Sequence, residues 1–341
     1  MSYQKDMEKY LITGAAGQLG QTLQCVFGGE EGSAMGRARE SFDIADTENV
    51  SDWIPTIRPD AVINCAAYTN VPQAEKDREQ CWKVNTLGVD NLARTCSAHN
   101  IPLFHISTDF VFGQDFSRCM SRGMADMSSD RWRESREARL AMLYREECPV
   151  GPLGYYAMTK AAGEHAILNH AAANPDFDYY IIRTAGLFSL PSQNQNNFPY
   201  KIARKLVKKN GQPLKIVADV YTNICHVDHL AEALKWMVEN RNEWSSEIGP
   251  VVGKGIYHIC NRGEASWFEI AERIAGHLGY GSDVVPCTRE QYADSMGLRP
   301  GSIPSYTCMD TSKYHDTFGP PMPTWQAAVD AWLVSAKGYF R

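Results

Sequence analysis

Tyr10-Leu-Ile-Thr-Gly-Ala-Ala-Gly-Gln-Leu-Gly20 is the stretch that decides the fold. A short apolar strand runs into three glycines spaced GxxGxxG, and a helical pattern from Leu19 to Phe27 follows. Glycine permits a tight turn and lets the backbone approach a pyrophosphate. The helix start then offers N–H groups and the positive end of its dipole to that anion. A glycine motif alone is a weak signal. Between a strand and a helix, near the N-terminus, it reads as a dinucleotide turn built on Gly14, Gly17, Gln18, Leu19 and Gly20.

Outward from that turn, strand and helix patterns alternate. Strands are expected at 33–36, 61–65, 103–107 and 179–183, and helices at 19–27, 50–57, 74–99 and 156–173. The strands are continuous apolar runs, as in a parallel sheet covered on both faces. The expected class is α/β, a Rossmann-type doubly wound parallel sheet with a smaller mixed C-terminal substrate lobe. The dinucleotide-binding domain is expected over 1–185, with 114–148 as an insertion and segments near 214–240 and 256–262 returning to it. Residues 186–341 mainly form the substrate lobe. Within it, helices are expected at 198–209 and 227–239, strands at 214–217 and 257–260, and a capping box at Ser266/Glu269.

Composition narrows the class. The 341 residues are 44% hydrophobic, enough for a substantial core. No run approaches the ~18 apolar residues of a membrane span, and the polar start, Met1 to Lys9, is unlike a signal peptide. A net charge of −6 argues against a broad nucleic-acid surface. The ten cysteines are scattered singly, without metal spacing. They read as reduced thiols of a cytoplasmic protein, and no metal site is expected.

The chemistry sits in the middle of the chain. Of sixteen tyrosines only Tyr156 has a lysine, Lys160, at i+4. Those positions share a helix face, and an ammonium lowers the pKa of a nearby phenol. Ser107-Thr108-Asp109 ends a strand, the edge where α/β sheets bind ligands. Thr108 would hydrogen-bond a substrate carbonyl, Tyr156 would protonate it as hydride arrives, and Lys160 would hold the nicotinamide ribose. At the end of the second strand, Met35-Gly-Arg37-Ala-Arg39 offers two arginines and no acid among its five residues, with Asp43 further on toward the adenine. Arginine suits a 2′-phosphate, so NADP(H) is favoured over NAD(H).

These residues make the chain resemble the extended short-chain dehydrogenase/reductases, and more closely the dTDP-4-dehydrorhamnose reductase family. The matching stretches are 11–21, 59–71 (PDAVINCAAYTNV), 105–112 (HISTDFVF) and 156–164 (YAMTKAAGE). To them are added Ala74-Glu75, Val84-Asn85, Arg183-Thr184, Asn197-Phe198 and Arg299-Pro300. The resemblance implies NADPH-dependent reduction of the 4-keto group of a nucleotide-linked deoxysugar. It extends the cofactor set to Ile44, Cys65, Ala66, Ala67 and Tyr68, and suggests substrate contacts at Thr69, Val71, Asp109, Phe110, Asn197 and Arg299. Three departures fall on the substrate side: Pro72 where an acid is usual, no tryptophan after Arg183-Thr-Ala185, and a long 114–148 segment. Related 4,6-dehydratases carry glutamate after Thr-Asp, where this chain has Phe110. Two alternatives stand beside reduction: an epimerase, and a non-catalytic NADP-binding subunit like the beta subunit of methionine adenosyltransferase. A homo-oligomer is possible.

The segment 114–148 holds seven arginines, seven acids and four methionines. Its length exceeds an ordinary connection. The expectation is either a solvated insertion or a partly helical lid or subunit contact, removable between Phe116 and Glu146 without loss of fold.

Overall fold

Tyr10–Thr13, the apolar run before the glycine turn, forms strand β1, with Leu11 and Ile12 fully buried. The computed structural model describes residues 8–28, 33–113, 135–208, 212–245, 249–250, 253–299, 301–318 and 321–340. After β1 come helix α1 (Gln18–Val26), β2 (Ala34–Arg37), α2 (Thr47–Ile57) and β3 (Ala61–Asn64). These are followed by α3 (Gly88–His99), β4 (Leu103–Thr108), α4 (Tyr155–Ala173), β5 (Tyr179–Thr184), α5 (Val227–Glu239) and β6 (Gly255–His258). The six strands make one parallel sheet, ordered β2-β1-β3-β4-β5-β6. Leu11 pairs with Met35 on one side and Val62 on the other, and Ile63 pairs with Phe104. Chain order reverses between β1 and β3, which is where open α/β sheets bind nucleotides.

The chain divides into two compact units. Unit 1 comprises 1–107, 159–182 and 230–257; unit 2 comprises 108–158, 183–229 and 258–341. In unit 1, α2, α3 and α4 bring Val50, Ile54, Val89, Leu92 and Ile167 onto a core with Leu11, Val62, Leu103 and Ile181. Each fully buried aliphatic side chain of this kind contributes about 1.5–3 kcal/mol. Asp46 caps α2 by accepting from the Asn49 N–H, and Arg58, at φ 49°, ends it in the left-handed region ahead of Pro59.

The single helix expected over 74–99 is instead broken. Turns at Val71–Ala74 and Arg78–Trp82 lead into a π-helical turn, Lys83–Leu87, before α3 begins. The physical reason is Asn85. Its buried amide accepts from the Tyr68 N–H at 2.8 Å and donates to the Tyr68 carbonyl at 3.1 Å and the Thr159 hydroxyl at 3.1 Å. A wider turn aims that side chain inward, a recurrent use of π-bulges.

In unit 2, Gly186–Phe188 pairs with Ile224–His226, and Leu214–Val217 with Val284–Cys287, both in parallel. The helix Trp267–Leu278 starts at the expected Ser266/Glu269 capping box and ends at Gly279, at φ 80°. It packs with Phe198–Val207 and Trp325–Ala336 around Phe188, Ile202, Leu206, Ile270 and Trp332. The Trp332 indole N–H donates to the Ser189 carbonyl at 2.8 Å. The strand expected at 257–260 lies two residues earlier, as β6.

Of the segment 114–148, residues 114–134 lie outside the described set. Residues 135–148 are built into unit 2, with a short helix at Arg136–Leu140. Arg139 is buried and shares its Nε–H between the two carboxylate oxygens of Glu264 at 2.8 and 2.9 Å, its guanidinium 4.2 Å above the Tyr221 ring. Tyr144 stacks on Phe112 at 4.1 Å, and Glu146 accepts from the His258 N–H at 3.0 Å. Among the described residues eight cysteines are free, five of them buried. Against the expectation of ten reduced thiols, Cys148 is disulfide-bonded. Among the described residues no helix is long and apolar enough to cross a membrane.

Candidate active site

Three glycines shape the turn after β1. Gly14 sits at φ +64°, and a Cβ there would lie 2.6 Å from the Ala66 backbone nitrogen. A Cβ at Gly20 would fall 2.5 Å from the Gly14 carbonyl oxygen. Only glycine allows this approach of the β1 turn, the β3 end and α1. The turn is then gripped by α1: the Gln21 amide donates to the Ala16 carbonyl, and the Gln24 amide to those of Ala15 and Gly20. Gly17 is the N-cap and carries no side-chain cap, leaving the dipole end to a ligand. Leu19 is buried in the core, and Gln18 is half-buried behind the turn.

Beside the turn lies a cleft of about 270 Å³ within unit 1. Its walls come from Gly14 and Gly17 after β1, Ala38 to Asp43 after β2, and Cys65 to Tyr68 after β3, with Ile44 at the base. This cradle, which a Cβ would fill, fits the pyrophosphate and adenosine half of a dinucleotide. Arg37 and Arg39 part company here. The Arg37 guanidinium lies 5.7 Å over the Trp53 ring and donates to the Gly36 carbonyl, away from the lining. Arg39 lines the cleft, largely exposed, 3.3 Å from Asp43.

Behind the cleft a buried polar chain crosses the sheet of unit 1. The Asn64 carbonyl oxygen accepts from the Ala66 N–H at 3.1 Å and the Thr13 hydroxyl at 2.6 Å. That fixes the amide, so its NH₂ donates to His105 Nδ1 at 2.9 Å. A neutral His105 must then carry its proton on Nε2, which faces Lys160 Nζ at 3.2 Å. Lys160 also donates to the Ile106 carbonyl at 2.7 Å. Burial lowers the Lys160 ammonium to about 8, with Glu164 opposing the shift. The His105 N–H acts in the same direction, because only a neutral amine can accept from it. Glu164 accepts from the Ser107 hydroxyl in the same interior. Asn64, Asn85, His105 and Glu164 were given no role in the sequence analysis. Their sole signal there is polar residues placed inside strand and helix cores.

Thr108 ends β4, and Tyr156 lies one helical turn before Lys160 on α4. In unit 2 the Phe110 ring meets Tyr156 edge-on, with centroids 6.3 Å apart. The Thr108 hydroxyl accepts from the Phe110 N–H at 3.2 Å and donates to Asp109 at 3.1 Å. Asp109 is buried and also accepts from the hydroxyls of Thr222 at 3.0 Å and Thr307 at 2.6 Å. Asn197 is buried as well. It caps the helix Phe198–Val207 and donates to the Ser189 and Asn194 carbonyls. Arg299 is exposed and donates to the Leu153 carbonyl at 3.2 Å. In unit 1, Thr69 and Val71 are exposed beside the cleft loop.

A family model described as the RmlD substrate binding domain matches residues 8–337, nearly the whole chain. The chain belongs to this family. The dTDP-4-dehydrorhamnose reductase of Mycolicibacterium smegmatis is 29% identical over 97% of this chain and 86% of its own. The dTDP-4-keto-6-deoxy-D-glucose reductase of Streptomyces niveus is 28% identical over 94% and 95%. Among solved structures, the dTDP-4-dehydrorhamnose reductase of Bacillus anthracis, in complex with NADP, superposes with a TM-score of 0.75. It is 26% identical and covers 96% of this chain and 99% of its own. The UDP-glucose 4-epimerase of Thermus thermophilus, complexed with NAD, shares the fold at TM-score 0.70 and 18% identity.

Proposed function

We propose that this protein reduces the 4-keto group of a dTDP-linked deoxysugar, using NADPH. The observation that carries the reading is a dinucleotide cradle in a chain of this family that keeps Thr108, Tyr156 and Lys160 in order. Relatives named as dTDP-sugar reductases along nearly the full length support reduction over the epimerase and regulatory-subunit alternatives. When bound, the nicotinamide supplies the hydride. Gly14, Gly17, Gly20 and the start of α1 hold the pyrophosphate, and Cys65 to Tyr68 border the same cleft. Of the two arginines after β2, Arg39 is the one on the cleft wall, and it is our candidate for a 2′-phosphate.

The residues divide the proton work. Tyr156 gives its phenolic proton to the sugar oxygen, and Thr108 offers a hydrogen bond to the same atom. Lys160, as an ammonium, stabilises the tyrosinate left behind and binds the ribose. The test is steady-state absorbance of NADPH and, separately, NADH with dTDP-4-keto-6-deoxy-D-glucose. The expected result is sugar-dependent oxidation with a higher kcat/KM for NADPH, lowered at least about 100-fold in Tyr156→Phe while nucleotide binding persists. Equal turnover in the variant would remove Tyr156 from the chemistry, and a preference for NADH would remove the role of Arg39.

A further inference from the structure

A hydroxyl carries one proton, and at Thr108 that proton already has a partner. The Thr108 oxygen accepts from the Phe110 N–H at 3.2 Å, which leaves its O–H to reach Asp109 at 3.1 Å. An ionised carboxylate is an acceptor only, so it holds the Thr108 proton and none remains for a substrate carbonyl. We infer that Asp109 is a positioning residue: ionised it captures the Thr108 proton, and protonated it donates to Thr108 and releases that proton toward the sugar oxygen. The inference rests on the function proposed above.

The surroundings of Asp109 allow both states. Its second oxygen is held by the Thr307 hydroxyl at 2.6 Å and the Thr222 hydroxyl at 3.0 Å, both buried and far away in sequence. Thr222 has another acceptor in the Asn223 carbonyl at 2.9 Å, and Thr307 lies 3.2 Å from Thr222. The hydroxyls can therefore reorient as the carboxyl gains a proton, with no heavy atom moving. Among the described residues the titratable groups that interact with Asp109 are the buried thiols of Cys260 and Cys308, and its hydrogen-bond partners are neutral hydroxyls and its own backbone N–H. Burial raises the carboxyl to about 6, within reach of ordinary assays. No bond between heavy atoms forms or breaks: Thr108 keeps its proton, and only the direction in which it is donated changes.

The experiment is the pH profile of kcat with NADPH and dTDP-4-keto-6-deoxy-D-glucose for wild type, Asp109→Asn and Thr307→Val. Wild type should lose roughly 10-fold as pH rises through Asp109 titration, the worth of about one hydrogen bond. Asp109→Asn, whose amide always donates to Thr108, should lack that limb, its rate staying level relative to its own value at low pH. Thr307→Val removes a hydrogen bond to the ionised form, so its limb should move to higher pH. This variant decides the matter if Asp109→Asn does not fold. A wild-type limb retained in Asp109→Asn, or unmoved in Thr307→Val, overturns the inference alone. A wild type that never oxidises NADPH with the sugar overturns the proposed function and the inference together.

Discussion

At the scale of single residues, Lys160 ties fold to chemistry. Its amine is buried between the Ile106 carbonyl and a His105 whose tautomer is set by Asn64. Burial alone disfavours the ammonium, and the His105 N–H adds to that by offering a proton where a cation would need an acceptor. The ammonium is the form proposed to assist Tyr156, so turnover should decline as pH rises through about 8, above the limb assigned to Asp109. Replacing His105 by alanine removes the N–H that faces Nζ and should move this upper limb to higher pH by about one unit. An upper limb unchanged in His105→Ala would show that the imidazole does not govern the lysine.

Among the elements, the π-turn between Arg78–Trp82 and α3 does the most for the cleft. Asn85 satisfies both backbone groups of Tyr68, and Tyr68 lines the cleft beside the β1 turn. Asn85→Leu keeps the volume but strands a half-buried N–H and C=O, a loss of about 1–3 kcal/mol. Urea unfolding should show that loss together with weaker NADPH binding. Unchanged midpoint and affinity would contradict the assignment. This turn also marks how far the sequence can be read. The β1 turn, the strands and the Ser266 capping box were legible because their signals are local: apolar runs, glycine spacing, a cap three residues from its partner. The π-turn was not, because its cause is Tyr68, seventeen residues away. The same limit applies at the site. Position marked Thr108, Tyr156 and Lys160, whereas the inward aim of Asp109 depends on Thr222 and Thr307, more than a hundred residues downstream. Arg37 and Arg39 looked alike in sequence, and only the packing of Trp53 separates them.

For the whole molecule, the two units draw on interleaved stretches of one chain, and residues 135–148 belong to the structure of unit 2. Arg139 and Glu264 are buried partners, with one Nε–H shared between both carboxylate oxygens, so removing Glu264 leaves the Arg139 charge without its carboxylate. Glu264→Ala should cost about 3 kcal/mol or more, read as a lowered thermal midpoint. A loss below about 1 kcal/mol would show the pair to be incidental. Excision of Phe116 to Glu146, harmless for a free loop, would remove Arg139, Tyr144 and Glu146 and should unfold unit 2.

The central claim is that hydride moves from the nicotinamide to the sugar, and isotope transfer tests it most directly. Nucleotide carrying deuterium at the transferable C4 position of the nicotinamide would be incubated with dTDP-4-keto-6-deoxy-D-glucose and the sugar product weighed by mass spectrometry. One deuterium is expected in the product sugar, bound to its C4 carbon, for each nucleotide oxidised. Product formed without deuterium, or nucleotide left unoxidised while the sugar isomerises, would contradict it.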